Sequence, residues 1–305
     1  MKKHIIVILV ALLASACQTT EGNRNSVKIK KAAKYKGEVQ PGKWLRDIEV
    51  PINYNGESSS ARIQIFFPKS YVKGKSCRTI IALHQHGASR RDWETNAQME
   101  SHANRYSFVI VCPEMDKTVY EMNYYPETTY RWNIMPGGKF VAEVLVPFMA
   151  ENFGLAAEKE STGIMGVTVG AHGAILIAEN YPGLFGAAAG ISGFYDPTIM
   201  QESRIIESVY GSYRKNPERW ENEDNPLKMA DRLAGVHVYL YHGGRNDAFQ
   251  EGQSRIMAIK LKQLQNKSSD YSITYSESKS SQYGWIYWRG KVPEVMEFFN
   301  EKLRD

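Results

Sequence analysis

The chain has 305 residues, 43% of them hydrophobic and 23% charged, enough to bury the core of one large domain. Its formal charge of +5 is concentrated near one end: Arg24, Lys28, Lys30, Lys31, Lys34 and Lys36 crowd a short stretch, and from Gly37 onward 30 basic residues stand against 32 acidic ones. A folded part without a basic excess gives nucleic-acid binding little support, and three cysteines without CxxC or Cys/His spacing point to no metal or other cofactor.

Residues 1–16 read as an export signal, in which Lys2 and Lys3 precede an apolar run from Ile5 to Leu13 and then Ala14, Ser15 and Ala16. The run is too short to span a bilayer as a helix. Cys17, directly after the small residues, resembles the acylated first residue of a bacterial lipoprotein. Gln18 beside it resembles a signal for the outer membrane in a host with two membranes. Residues 17–43 are then expected to form a basic flexible tether beside anionic head groups, carrying a domain over residues 44–305 at the periplasmic face of the envelope. Ordinary secretion with cleavage nearby is the other reading.

Residues 44–50 and 61–67, on either side of Asn53-Tyr54-Asn55-Gly56, predict a hairpin. Residues 79–83 predict a short buried strand that runs into His84-Gln85-His86-Gly87. A helix is expected over 92–105 and the next central strand over 107–112. Cys77 and Cys112 then fall at opposite ends of neighbouring strands, too far apart for a disulfide. Residues 113–139 have no clear period, and a segment of that length is usually functional. Its Tyr120, Tyr124, Tyr125, Tyr130 and Trp132 could wall a pocket or pack the loop on itself. An amphipathic helix over 140–152, with Pro147 as a kink, precedes a strand over 161–166. Then come a helix over 171–180, a strand over 186–191, a polar helix-rich insertion of the cap kind over 194–233 and a strand over 236–241. A helix over 250–265, a strand over 271–276 and a closing helix over 293–302, with Pro293 in its first turn, complete the chain. Strands alternating with helices after an antiparallel start imply an α/β fold with a mostly parallel central sheet and helices on both faces.

At Gly166-Val167-Thr168-Val169-Gly170 an apolar run ends in a glycine, one hydroxyl residue follows, and a second glycine opens a small-residue helix. This is the G-x-S-x-G strand–turn–helix layout with threonine at its centre. Three further stretches accompany it: Leu83-His84-Gln85-His86-Gly87, Gly243-Gly244-Arg245-Asn246-Asp247, and Trp285-Ile286-Tyr287-Trp288-Arg289. In their order and spacing they resemble the esterase-D-like branch of α/β-hydrolases, which includes S-formylglutathione hydrolases, feruloyl esterases and mycolyltransferases.

The resemblance implies an α/β-hydrolase fold with a nucleophile at Thr168, an acid at Asp247, and oxyanion-holding N–H groups at Val169 and His86. It also implies a histidine two residues before Trp285, where Tyr283 stands, and no histidine occurs from Gly243 to Asp305. A phenol with the ordinary pKa of about 10 does not accept a proton at neutral pH. A threonine at the strained turn is a second departure, since a β-branched residue with positive φ is an outlier. Two readings follow. One is a membrane-anchored lipoprotein, non-catalytic or very weakly active, that binds an ester, acyl or glycan-like ligand or a protein partner. The other is an active carboxylic-ester hydrolase or acyltransferase with Thr168 as nucleophile and His242 or His84 as relocated base. His84, Gln85, Tyr124, Tyr125, Tyr130, Trp132 and Trp285 are the further candidates for ligand contact, and His172 is expected to pack beneath the turn.

Overall fold

The computed structural model describes residues 35, 37–243, 252–278 and 283–304. The expected export signal, Cys17 and Asp247 lie outside the described residues. Among the described residues no helix is long and apolar enough to cross a membrane, and no disulfide joins Cys77 to Cys112.

Eight strands form one sheet in the order β1-β2-β4-β3-β5-β6-β7-β8. Strands β1 (Trp44–Tyr54) and β2 (Glu57–Phe66) make an antiparallel hairpin longer than the sequence pattern suggested. Its two-residue turn, Asn55-Gly56, has φ of 49° and 85°, the pair of positive values that matches the twist of the flanking strands. Strand β4 (Val109–Pro113) runs antiparallel to β2. From there β3 (Thr79–Leu83), β5 (Thr162–Val167), β6 (Ala187–Ile191), β7 (His237–Gly243) and β8 (Ser272–Ser278) are all parallel. Every residue of β3, β4, β5 and β6 is buried, so these strands read as continuous apolar runs rather than alternating ones.

Both faces of the sheet are covered. On one face α1 (Asp92–Ala97), α2 (Met99–Tyr106), α9 (Trp285–Trp288) and α10 (Val292–Lys302) pack Trp93, Met99, Trp288 and Phe299 against it. The other face carries α3 (Gly137–Lys139), α4 (Val146–Phe153), α5 (Val169–Asn180) and α8 (Gln253–Gln265). Two short helices, α6 (Arg204–Tyr210) and α7 (Pro226–Met229), belong to the cap insertion. There Phe194, Ile206, Val209, Tyr210 and Trp220 gather with Val119 into a small apolar cluster of their own.

Three expectations are corrected. The single helix over 92–105 is two helices, because Gln98 takes the left-handed conformation with φ 50° and ψ 39°. Trp93 and Ala97 form one buried i, i+4 stripe and Met99 and Ala103 another. A step of two residues between the stripes is out of phase with a 3.6-residue turn, and the break brings both onto the sheet. The helix over 140–152 contains a π stretch, Phe140–Leu145, in which the Val146 amide donates to the Val141 carbonyl. It ends as Val146 begins α4, so the ring and the missing N–H of Pro147, the next residue, fall in a first turn. The tether is docked at its far end: the Tyr35 amide donates to Asn152 Oδ1 at 2.7 Å, its ring lies 5.3 Å from that of Phe153, and the Gly42 amide donates to the Phe67 carbonyl at 2.8 Å.

Candidate functional site

Thr168 stands where β5 becomes α5, with φ 51° and ψ −110°. The two glycines around it are required by close approach rather than by φ. A Cβ on Gly166 would lie 2.1 Å from the Gly170 carbonyl, and one on Gly170 would lie 2.6 Å from the Leu83 carbonyl oxygen. With both absent, α5 starts directly over the ends of β3 and β5. The Thr168 amide donates to the Ile191 carbonyl at 2.9 Å and its carbonyl accepts from the His172 amide at 3.0 Å, so the turn is fixed from both sides. Its side-chain hydroxyl is different: Thr168 is 1% exposed and Oγ1 has no hydrogen-bond partner among the described residues.

That combination is expensive. A non-glycine residue in such a conformation costs about 1–3 kcal/mol, and a buried hydroxyl left unpaired costs about 1–3 kcal/mol more. Next to it, Val169 is the first residue of α5, and its N–H has no acceptor within the helix. The helix dipole adds positive potential at the same point, favouring a carbonyl oxygen there.

Thr168 and Val169 line a cavity of about 240 Å³ at the C-terminal edge of the sheet. Gln85, His86, Ser203 and Tyr283 are its other polar lining residues. Its body is apolar, formed by Val119 and by Phe194, Met200, Ile205 and Ile206 of the cap. Among the described residues, no Asp, Glu, Lys or Arg lines it. The cap contribution was not foreseen from the sequence, where these residues sit scattered in a polar stretch without a catalytic signature.

The four described histidines of interest have separate environments. His84 is buried, donating from Nδ1 to the Gln85 carbonyl at 2.6 Å and accepting at Nε2 from the Met115 amide at 3.0 Å. Both nitrogens are committed, which corrects its candidacy as a base. His242, buried near the end of β7 opposite Glu277 in β8, is not among the residues lining the cavity. His172 packs beneath the turn, stacked on Phe194, and burial pushes its pKa down to about 3. His86 lines the cavity, with Nδ1 facing the Thr118 carbonyl oxygen at 3.4 Å, and burial lowers its pKa.

The aromatic residues of the long segment pack the loop rather than the cavity. Tyr124 donates to the carbonyls of Asn133 and Met135 at 3.1 Å, Tyr130 donates to Asp116 at 2.8 Å, and the Trp132 ring lies 5.1 Å from Phe140. Tyr125 donates to Glu223 of the cap and receives the Arg219 guanidinium over its ring. Trp285 donates from Nε1 to Asp92 at 2.9 Å and meets Trp93 edge-on. Tyr283, by contrast, does reach the cavity, 45% exposed and edge-on to Trp288 with centroids 4.8 Å apart.

The family model described as "Putative esterase" matches residues 58–299. The chain belongs to this esterase family. Among curated proteins, an acetyl esterase of Caldicellulosiruptor saccharolyticus is 21% identical over 242 residues, covering 75% of this chain and 86% of that protein. Among solved structures, MPT51 of Mycobacterium tuberculosis is similar with a TM-score of 0.66 at 17% identity, covering 85% of this chain and 98% of that one. FphF of Staphylococcus aureus, a fluorophosphonate-binding serine hydrolase solved with substrate bound, has a TM-score of 0.64 at 15% identity, covering 86% and 99%. At these identities the structural likeness shows the α/β-hydrolase fold. The sheet order is thus that of an α/β-hydrolase scaffold.

Proposed function

We propose that this member of the esterase family binds an uncharged acyl or ester ligand in the cavity at Thr168 and hydrolyses it, at most, at a residual rate. One observation carries the reading: the cavity joins an unpaired buried hydroxyl and a helix-terminal N–H without an acceptor in its helix to an apolar body, while a tyrosine occupies the edge where the family has its histidine. The carbonyl of the ligand would sit at the Val169 N–H and its acyl chain among the cap residues. Among the described lining residues, a charged head group would find no counter-charge. Loss of a triad histidine leaves the scaffold with what binding and oxyanion stabilisation supply. The protein is anchored to the cell envelope through acylated Cys17, with the basic stretch before the domain beside the lipid surface.

The test is a pair of measurements on the purified protein. Titration calorimetry with a medium-chain methyl ketone, which mimics an ester but cannot be cleaved, is expected to show binding that Ser203→Trp, filling the cavity, removes. Turnover of p-nitrophenyl butyrate is expected to stay below a kcat/KM of about 10⁴ M⁻¹ s⁻¹, the low end of ordinary enzyme efficiency. Absence of ketone binding, or turnover well above that value, would overturn the reading. Anchoring is checked separately, since Cys17→Ser is expected to move the protein from the membrane fraction to the soluble one.

A further inference from the structure

Among the described residues, His86 is the histidine that lines the cavity holding the Thr168 hydroxyl. Its Nδ1 faces the Thr118 carbonyl, an oxygen that can only accept, so the proton is on Nδ1 and the lone pair on Nε2. A histidine held in one tautomer by an acceptor behind it keeps its other nitrogen unprotonated, as a general base requires. The Thr168 hydroxyl, for its part, has no acceptor of its own.

We propose that the His86 imidazole is the base for Thr168, so that the residual activity of the protein is acyl transfer by a Thr168–His86 dyad with the Thr118 carbonyl orienting the ring. The inference rests on the reading of the cavity as an acyl site. In the first step the Thr168 Oγ1–H proton passes to His86 Nε2 as Oγ1 bonds to the acyl carbon. The oxyanion that forms is held at the Val169 N–H. Collapse breaks the bond to the leaving oxygen, which takes the proton back from Nε2. Water then attacks the acyl-Thr168 ester with Nε2 accepting its proton, and the carboxylic acid and the free Thr168 hydroxyl are regenerated.

The unliganded protein does not have the Thr168 hydroxyl bonded to His86, and such bonds commonly tighten only when substrate is present. Burial lowers the His86 pKa, which keeps the ring neutral and basic at pH 7, while Asp116 close by favours the imidazolium formed during the reaction. A peptide carbonyl carries no full charge, so the group behind His86 stabilises the imidazolium less than the carboxylate of a complete triad does. The activity is accordingly slow.

The experiment compares the protein with Thr168→Ala, His86→Ala and His86→Gln, using p-nitrophenyl butyrate at pH values on both sides of 6.5, with and without added imidazole. The expected result is a Thr168-dependent rate that His86→Ala lowers by about 10²–10⁴-fold, the usual contribution of a positioned base, or to the Thr168→Ala level if that is reached first. Added imidazole restores part of the rate to His86→Ala and none to Thr168→Ala. In the parent the rate falls on the acid side, with an inflection below the ordinary histidine value. A His86→Ala rate equal to the parent's, or a parent rate equal to that of Thr168→Ala, overturns the dyad. Methyl-ketone binding, measured on the same proteins, separates the two readings: if it persists while the dyad fails, the acyl site stands without the base. If His86→Ala has lost ketone binding, His86→Gln decides, and retention of the parent rate in it overturns the proposal.

Discussion

The imidazole of His172 lies flat on the ring of Phe194, centroids 4.1 Å apart and planes 8° apart, and its Nδ1 donates to the Phe194 carbonyl oxygen at 3.1 Å. This contact ties the first turn of α5 to the start of the cap, directly beside the cavity. Burial keeps the ring neutral and lowers its pKa to about 3, against about 6.5 in an unfolded chain. The unfolded state therefore takes up a proton below about 6.5 that the folded state refuses. Stability from this residue is complete above that value and is lost as pH falls towards 3, by about 1.4 kcal/mol per pH unit. In urea denaturation the midpoint of the parent is expected to fall more steeply with acid than that of His172→Gln. Parallel pH profiles of the two proteins would contradict a neutral buried ring.

Asp224 predicts a dependence of opposite sign. Fully buried in the cap, it accepts from the Met122 amide at 2.9 Å. Burial first, with Glu121 nearby adding to it against the Met122 hydrogen bond, raises its pKa to about 7. Folding thus binds a proton that an unfolded aspartate releases above about 4. The favourable contribution is present at low pH and is lost as pH rises from about 4 to about 7. Asp224→Asn, which keeps an acceptor for Met122 and cannot ionise, is expected to be more stable than the parent at pH 8, by a few kcal/mol, about 1.4 kcal/mol for each pH unit of the window. The difference should disappear near pH 4. Equal urea midpoints of the two proteins at pH 8 would show that Asp224 ionises without penalty.

Much of this fold was legible because buried parallel strands leave uninterrupted apolar runs, as at Thr79–Leu83 and Val109–Pro113. The turn at Thr168 was legible because close approach of helix and strand admits only glycine at Gly166 and Gly170. The cavity body was not. Phe194, Met200, Ile205 and Ile206 carry no reactive group, and nothing in a polar insertion marks which apolar side chains turn inward. The neighbouring histidines His84 and His86 could not be told apart either, since the choice depends on which ring the loop points at the Met115 amide and which at the cavity. The two readings of the long loop's tyrosines could not be separated in the sequence for a related reason: their hydroxyls find partners inside the loop and cap, a matter of three-dimensional path.

Two glycines give a paired test of how the site is supported. A Cβ on Gly173 of α5 would lie 2.4 Å from the Tyr120 ring, and that ring cannot retreat easily because its hydroxyl donates to the His84 carbonyl at 2.8 Å. Gly183, in the turn after α5, has nothing within 4 Å of the same position. Gly173→Ala is expected to destabilise by about 1–3 kcal/mol through overpacking and to weaken ketone binding by displacing the His84–His86 loop. Gly183→Ala is expected to be neutral or stabilising by about 0.4–1 kcal/mol. Thermal denaturation of the two single variants decides, and equal melting temperatures would show that Tyr120 is free to move.

The position of Tyr283 permits a test of what the scaffold lost. Its side chain shares the cavity with Thr168 and rests edge-on against Trp288, so a histidine placed there would begin from the same backbone and the same aromatic support. Thr168→Ser alone removes the methyl that crowds the strained turn and supplies a less hindered hydroxyl, but no base at this edge. Tyr283→His alone supplies a base to a hindered threonine. Because base and nucleophile act as a unit, their effects should not add. The double variant is expected to hydrolyse p-nitrophenyl butyrate at least about tenfold faster than the product of the two single effects predicts, a coupling of about 1.4 kcal/mol in transition-state stabilisation. A double variant no faster than that product would mean that the segment carrying Tyr283 does not bring a side chain within proton-transfer distance of residue 168, and that the esterase geometry was lost at the loop as well as at its two residues.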